Sequence, residues 1–317
     1  MHKIGIDLGG TKIEIIVLDA DNREIYRKRI ATEQEKGYPA ILDKIQGLYR
    51  EALKAVAHQP HTLGMGIPGA ISFKTNLVKN ANTQCLNGKP LKQDLQSKLG
   101  HRVEIQNDAN CFTLAEALLG SGIGKRMVFG VIMGTGCGGG LAIDGRVHGG
   151  LQGIAGEWGH MQIDPAGPEC YCGKRGCVET YISGGGLQNI FRSRFGELKP
   201  VQEIVAGFRR GEPKTRAVFS EFLEHFGIAL SNVIDILDPD IVILGGGLSN
   251  IEELYTLGYQ EVGKKIFSDG LETPIVKNRL GDSAGVFGAA MIGIADDAED
   301  AENADNTENM DGEDNSD

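Results

Sequence analysis

Four metal-type donors crowd into eighteen positions of this chain: His160, Cys170, Cys172 and Cys177. No other stretch restricts the fold so strongly, because few loop paths bring four such side chains to one point. One imidazole and three thiolates are the number and kind of donor that a closed tetrahedral zinc site takes. The spacing, H-x9-C-x-C-x4-C, is not that of a zinc finger, and three buried cysteines beside a satisfied core histidine is the competing reading. Gly173 and Gly176 favour the metal, since they permit the tight turns of a small ligand loop, and Pro165 and Pro168 stiffen its approach. Four protein donors leave no position for water or substrate, so the expected role of zinc is structural. Glu157 stands three residues before His160 and Glu179 two after Cys177, so closing the site draws both carboxylates toward one place, where a polyol could be held.

A length of 317 residues with 41% hydrophobic content exceeds one typical domain and suits two lobes with a cleft between them. Residues 296–317 hold eleven Asp and Glu and no Lys or Arg, which accounts for the whole formal charge of −11 and leaves residues 1–295 balanced. A segment so poor in apolar groups is expected to be a disordered acidic tail. The opening residues MHKIGIDLGG lack the apolar core of a signal peptide, and no apolar run nears the ~20 residues of a membrane span. Both facts argue for a cytoplasmic protein with no membrane partner. Cys85, Cys111 and Cys137 join the three loop cysteines, and without a secretion signal they read as thiols rather than disulfides. No basic patch with interleaved aromatics appears, which argues against nucleic acid.

Residues 3–30 read as three strands split by Gly-Gly-Thr and by Asp-Ala-Asp-Asn. Gly9 and Gly10 let a backbone approach a ligand closely, and Thr11 and Lys12 add a hydroxyl and a cation, as a phosphate cradle requires. An ordinary hairpin turn is the bland alternative; Asp7 at the strand end tips the balance, because a carboxylate beside a phosphate turn can hold hydrated Mg²⁺. Residues 38–57 carry apolar groups at helical spacing. Asn80, Asn82, Thr83 and Asn87 then cluster amides and a hydroxyl, as turns do and as sugar-binding walls do. A strand over 103–106 meets the corner Asn107-Asp108 and a helix from about residue 109 to 119. Asp108 is either the helix N-cap or a general base held at a strand's C-terminal end. After a hinge at residues 120–124, the strand over 128–132 runs into Gly134, Thr135, Gly136, Cys137 and Gly138, then into a second strand. Two strand, Gly-Thr, strand units about 125 residues apart point to a duplicated lobe with a phosphate turn on each side. Residues 187–212 are irregularly helical and offer no chemistry. A long helix over 215–237 precedes the apolar strand 241–244, which ends in Gly245, Gly246 and Gly247, a flat backbone surface for a planar ring. A small-residue helix starts near Ala284 and crosses back to the first lobe.

Taken in order, DLGGTK, GIPG, NDAN, GTGCGGG, GEWGH, CYCGKRGCVE and ILGGG resemble the ROK sugar kinases of the actin, Hsp70 and hexokinase superfamily, over residues 3–295. The resemblance implies an α/β, two-lobed RNase H-like fold with an inserted zinc-binding loop. Its lobes would be residues 1–118, to which helix 284–295 returns, and 119–283, carrying the zinc loop 160–179. ATP would lie in the cleft, with residues 5–12 and 134–141 at its phosphates and residues 245–247 near the adenosine. Asp108 would take the proton of the attacking hydroxyl. Asn107, Glu157, Glu179 and His160 would bind the sugar, His160 being shared with the zinc site, and Gly69 and Asn82 would wall the pocket. Mg²⁺, mostly water-coordinated, would bridge the outer phosphates. A homodimer is the expected assembly.

The run GMGIPGAISFKTNLVKNANTQCLNGKPLKQDL is most similar to bacterial ROK fructokinases, so D-fructose is the expected acceptor, with mannose or glucose as side substrates and N-acetylglucosamine as the alternative. ROK-type regulators carry a helix-turn-helix before the kinase-like part, whereas strand one starts at Lys3 here. A chaperone-type ATPase would need a peptide-binding domain after the lobes.

Overall fold

The computed structural model describes residues 1–293. The expected acidic tail at 296–317 lies outside the described residues, as do the last residues of the helix expected over 284–295. Three apolar-rich strands open the chain, β1 (His2–Leu8), β2 (Lys12–Leu18) and β3 (Glu24–Ala31), in an antiparallel meander. Helix α1 (Tyr38–Ala55) starts with a proline in its first turn and buries Ile41, Ile45, Leu48 and Ala52, one face at the spacing of the helix. It leads to β4 (His61–Ile67), parallel to β1. A small hairpin of β5 (Ala70–Ile71) and β6 (Val78–Lys79) projects next, followed by α2 (Leu91–Leu99), β7 (Glu104–Asn107) and α3 (Asp108–Leu119). The first sheet thus has the order β3-β2-β1-β4-β7.

The pattern then repeats. Strands β8 (Met127–Met133), β9 (Cys137–Ile143) and β10 (Arg146–Val147) form a second meander. The ligand loop follows, and with it α4 (Val178–Ile182), α5 (Gly184–Phe195), α6 (Val201–Arg209) and α7 (Pro213–Leu237). Strand β11 (Ile241–Gly245) pairs parallel to β8, and after α8 (Leu257–Gly263) the strand β12 (Ile275–Lys277) pairs parallel to β11. The second order, β10-β9-β8-β11-β12, is the first one over again: three antiparallel strands, then two parallel additions. The duplication expected from the two Gly-Thr turns is therefore present in the topology of both sheets.

Each sheet has its own apolar cluster, the first around Ile4, Ile6, Ile45 and Leu63, the second around Phe129, Phe191, Phe222 and Leu244. Between them lie α3 and the last helix among the described residues, α9 (Ala284–Ile292). Helix α3 packs on β8, β9 and α9, and α9 packs on β1, β2 and β4. Their contact is close because it is made of glycine: a side chain at Gly288 would overlap the Cys111 carbonyl of α3, and one at Gly64 of β4 would overlap the Ala289 carbonyl. Flanked on all sides, α3 buries nine consecutive residues, Ala109 to Ala117, of which Asn110, Thr113 and Glu116 are polar. Among the described residues no helix is long and apolar enough to cross a membrane.

Candidate active site

The two Gly-Thr turns close in related ways. Gly9 N–H donates to the Lys12 carbonyl (2.9 Å), leaving Gly10 and Thr11 at the tip, and the Thr32 hydroxyl braces the turn through the Gly9 carbonyl (2.7 Å). In the second turn Gly134 N–H donates to the Gly136 carbonyl (2.9 Å). The first amides of α5 dock onto it, Gly184 N–H to the Gly134 carbonyl (2.8 Å) and Gly185 N–H to that of Thr135 (3.2 Å). Cys137 has a different job from the one expected of it. Its side chain is buried and its amide donates to Glu179 Oε2 (2.9 Å), so the residue anchors a carboxylate and offers nothing free to a phosphate.

Strand β7 ends at Asn107, and this residue caps α3: its Oδ1 accepts from the amides of Ala109 (2.9 Å) and Asn110 (3.4 Å). Its Nδ2 donates to the Gly69 carbonyl (3.2 Å). Asp108 is thereby released from capping. Its Oδ1 accepts from the adjacent Ala109 amide (2.8 Å), and the Asn107 side chain also bonds the carboxylate. Burial, and then the nearby Glu157 charge, raise the Asp108 carboxyl to about 6, which keeps it ionised but basic at neutral pH. Asp7, on β1, is raised further, to about 7, first by enclosure and then by Asp108 and Glu14. Both carboxyl groups are enclosed although each residue as a whole keeps some exposure. The space around Asp7 depends on Gly66 and Gly285; a Cβ at Gly285 would come within 3.1 Å of Oδ2.

Gly69, Asn82, Asn107, Asp108, Glu157, His160 and Glu179 all line one cleft of about 1060 Å³, together with Gly134, Thr135, Gly136, Cys137 and Gly138. The structure thus brings the expected sugar groups and the second turn into a single space. Asp7 and the turn from Gly9 to Lys12 do not line that space; their link to it is the loop of Asn82, since Gly10 approaches the Thr83 hydroxyl. Asn87, another amide of that loop, is spent internally, its Oδ1 accepting from Ala81 N–H and its Nδ2 donating to the Ala81 carbonyl (both 2.9 Å).

A second cavity of about 640 Å³ shares Gly134 and Thr135 with the first and continues between α5, α6 and residues 247–251. Of the three glycines expected near an adenosine, only Gly247 lines it. Gly245 packs on the Phe112 ring and Gly246, at φ 76°, on the Met133 backbone, so these two shape the turn from behind. Gln188, Val205 and Arg209 line the cavity and escaped sequence reasoning, which found no chemistry in residues 187–212. Arg209 is itself held by Glu253 at 2.6 and 2.8 Å.

The ligand atoms of His160, Cys170, Cys172 and Cys177 all lie within 4.8 Å of one another. His160 Nδ1 is 3.6 Å from Cys170 Sγ, and Cys172 Sγ is 3.6 Å from Cys177 Sγ. Metal–ligand bonds of about 2.3 Å to sulfur and 2.0 Å to nitrogen give tetrahedral edges of about 3.5–3.8 Å, which these two pairs already match, and in number and kind the four donors suit zinc. Burial pushes the Cys177 thiol up to about 12, a cost that a divalent cation would remove by taking the thiolate as ligand. His160 presents its other nitrogen, Nε2, to the Tyr171 hydroxyl at 3.0 Å, on the side of the cleft. Tyr171 is a further residue of the site that the sequence did not single out.

The model of the ROK family matches residues 3–295. The N-acetyl-D-glucosamine kinase of Pectobacterium carotovorum is 37% identical over 302 residues, 92% of this chain and 99% of that one. Among solved structures, the ROK hexokinase from Thermus thermophilus superposes with a TM-score of 0.83 at 31% identity, over 92% of this chain and 97% of the other. A ROK family glucokinase from Streptomyces griseus, in complex with glucose and AMPPNP, gives 0.73 at 28% identity, over 92% and 99%. Two sheets of one topology, a glycine turn at the same point of each and relatives matched along nearly their whole length lead to one conclusion: the chain belongs to the ROK family.

Proposed function

We propose that this chain, an ATP-dependent sugar kinase, transfers the γ-phosphoryl group of ATP to a hydroxyl of N-acetyl-D-glucosamine. The observation that carries the reading is Asp108, a carboxylate raised to about 6 that stands in the same cleft as the sugar-type groups and the Gly134–Gly136 turn. Phosphoryl transfer asks a protein mainly to position groups and to stabilise charge. Asp108 would orient the acceptor hydroxyl and receive its proton as the bond to phosphorus forms. Asn82, Glu157, Glu179 and the His160–Tyr171 pair would hold the other hydroxyls. Asn107, whose side chain also bonds the Gly69 carbonyl and the Asp108 carboxylate, would flank the sugar. The amides of Gly10 and Thr11 on one side and of Thr135 and Gly136 on the other would face the phosphates, and the cavity reaching Gly247 would take the adenosine.

Mg²⁺, when bound with the nucleotide, neutralises the outer phosphates. Asp7 suits a water-mediated contact to it, because its raised carboxyl gains from a nearby cation. Zinc, when bound by His160, Cys170, Cys172 and Cys177, supplies no chemistry at the reacting atoms; the four ligands would fix the loop that carries Glu157 and Glu179. Thiolate ligands suit a reducing, cytoplasmic setting. We keep the lobe limits at 1–118 and 119–283.

The acceptor differs from the fructose expected above. Relatives such as the Pectobacterium enzyme favour the acetamido sugar. Fructose is retained as the second reading for one reason: the run that resembles fructokinases, through Lys79, Asn80, Asn82, Gln84 and Asn87, is itself a wall of the cleft. A coupled ADP-release assay over N-acetylglucosamine, fructose, mannose and glucose decides between them. N-acetylglucosamine should show a kcat/KM at least about tenfold above the others, the scale that one well-used polar contact gives; a reversed ranking returns the assignment to fructose.

A further inference from the structure

The chain passes between its two sheets twice, once from α3 to β8 through residues 120–126 and once from β12 to α9 through residues 278–283. Both passages are held by one side chain. Glu116, in the last turns of α3, is fully buried. Its Oε2 accepts from the Ser121 amide of the first passage (2.9 Å) and the Arg279 amide of the second (3.1 Å). Its Oε1 accepts from Arg279 (3.0 Å) and Leu280 (2.8 Å). The Glu116 carbonyl also receives the amides of Gly120 (3.1 Å) and Gly122 (2.9 Å). A side chain at Gly120 would overlap the Glu116 carboxylate, so the fold leaves that position bare for it. The first passage also touches the foot of the second, through the Ser121 hydroxyl and the carbonyl of Lys277, the last residue of β12 (2.9 Å).

We infer that Glu116 is a positioning residue that makes the two passages one hinge and thereby fixes Asp108 relative to Asp7. The inference rests on the kinase reading above and deepens it. Helix α3 bears Asp108 at its first residue and Glu116 two turns later, so a movement of the clamp is a movement of the base. The second passage leads within a few residues to Gly285, which packs on the Asp7 carboxylate. A single buried carboxylate therefore sets the register of a helix that carries one reactive acid and of a helix that covers the other. Hinges act where a few element-terminal residues absorb a rotation, and a shared carboxylate that accepts from three backbone amides forces both strands of such a hinge to move together.

The test compares the full-length wild type with Glu116→Gln, which keeps size but replaces one acceptor oxygen with a donor, and with Ser121→Ala, which removes only the link from the first passage to the foot of the second. The acceptor is whichever hexose the wild type phosphorylates best. Glu116→Gln should lower kcat by about 10- to 100-fold, the scale of a displacement near one ångström, while KM for ATP stays within about twofold. The compaction that sugar and AMPPNP produce together in small-angle scattering should shrink with it, and Ser121→Ala should show the same pattern more weakly. A Glu116→Gln enzyme with unchanged kcat, whatever its melting temperature, overturns the inference. If that variant does not fold, normal turnover and normal compaction in Ser121→Ala overturn it instead. A wild type that phosphorylates no hexose removes the kinase reading alone. The clamp is then read from amide exchange, which Ser121→Ala must accelerate at residues 120–122 and 279–280 together; acceleration in one passage only overturns it.

Discussion

Asp7 and Asp108 are both held above the ordinary carboxylate range, yet the raised value serves each differently. Asp108 at about 6 can accept a proton only when ionised, so kcat/KM should fall with a slope near one below about pH 6, as read from initial rates between pH 5 and 8. A profile flat down to pH 5 would remove it as the base. Asp108→Asn should lose roughly 10²-fold or more in kcat with little change in sugar affinity, measured by turnover and calorimetry. For Asp7 the consequence is thermodynamic. Its folded value of about 7 stands above the ordinary 3.8, so the folded chain holds the extra proton between about pH 4 and 7 and stability falls as pH rises through that window. In the absence of Mg²⁺ and nucleotide, Asp7→Asn should raise Tm at pH 8 and leave it nearly unchanged at pH 4; equal shifts at both would contradict this. The residues themselves were legible from their corners and turns. Their division of labour was not: whether Asp108 or Asn107 caps α3 depends on where the helix begins by one residue, which periodicity does not resolve.

At the scale of elements, the glycine turns and the apolar strands stood out in the sequence because alternation, glycine pairs and β-branched runs are local signals. Helices α5 and α6 did not. Their part in the site comes from the docking of Gly184 and Gly185 on the second turn, a tertiary contact without a composition of its own. The same holds for Gly245 and Gly246, whose triplet reads as a ligand surface but of which only Gly247 reaches the cavity. The ligand loop was legible because four soft donors have little other use at that density. Its coupling to the cleft runs through Glu179, which follows the last cysteine and binds the Cys137 amide. Cys172→Ser should therefore lose the metal, as elemental analysis reads, and raise the sugar KM more than the ATP KM. Equal effects on both constants, or a wild type with no zinc, would sink that account.

Across the whole molecule, repetition of one sheet topology was readable from two Gly-Thr turns and the return of α9 to the first lobe from its small residues, whereas the packing of α9 on α3 was not, since that contact has no periodic signal. The cleft draws walls from both sheets, so sugar and nucleotide should each tighten the other by the same factor, as linkage requires. Titration calorimetry with and without AMPPNP measures it, and a factor of one in both directions would show that the two sites are independent. Helix α9 has one more consequence, and it concerns synthesis. The first sheet is complete in strands at Asn107, but the helix that seals it, over Ala284–Ile292, is made last. At roughly 5–20 residues per second the ribosome leaves that sheet open for on the order of ten seconds or more. Over that time the Gly5 and Gly64 seats, shaped for a helix backbone, face the cell uncovered. The amino-terminal half of this kinase is thus translated early and finished late, and how long its apolar seats stay open is set by where α9 stands in the chain.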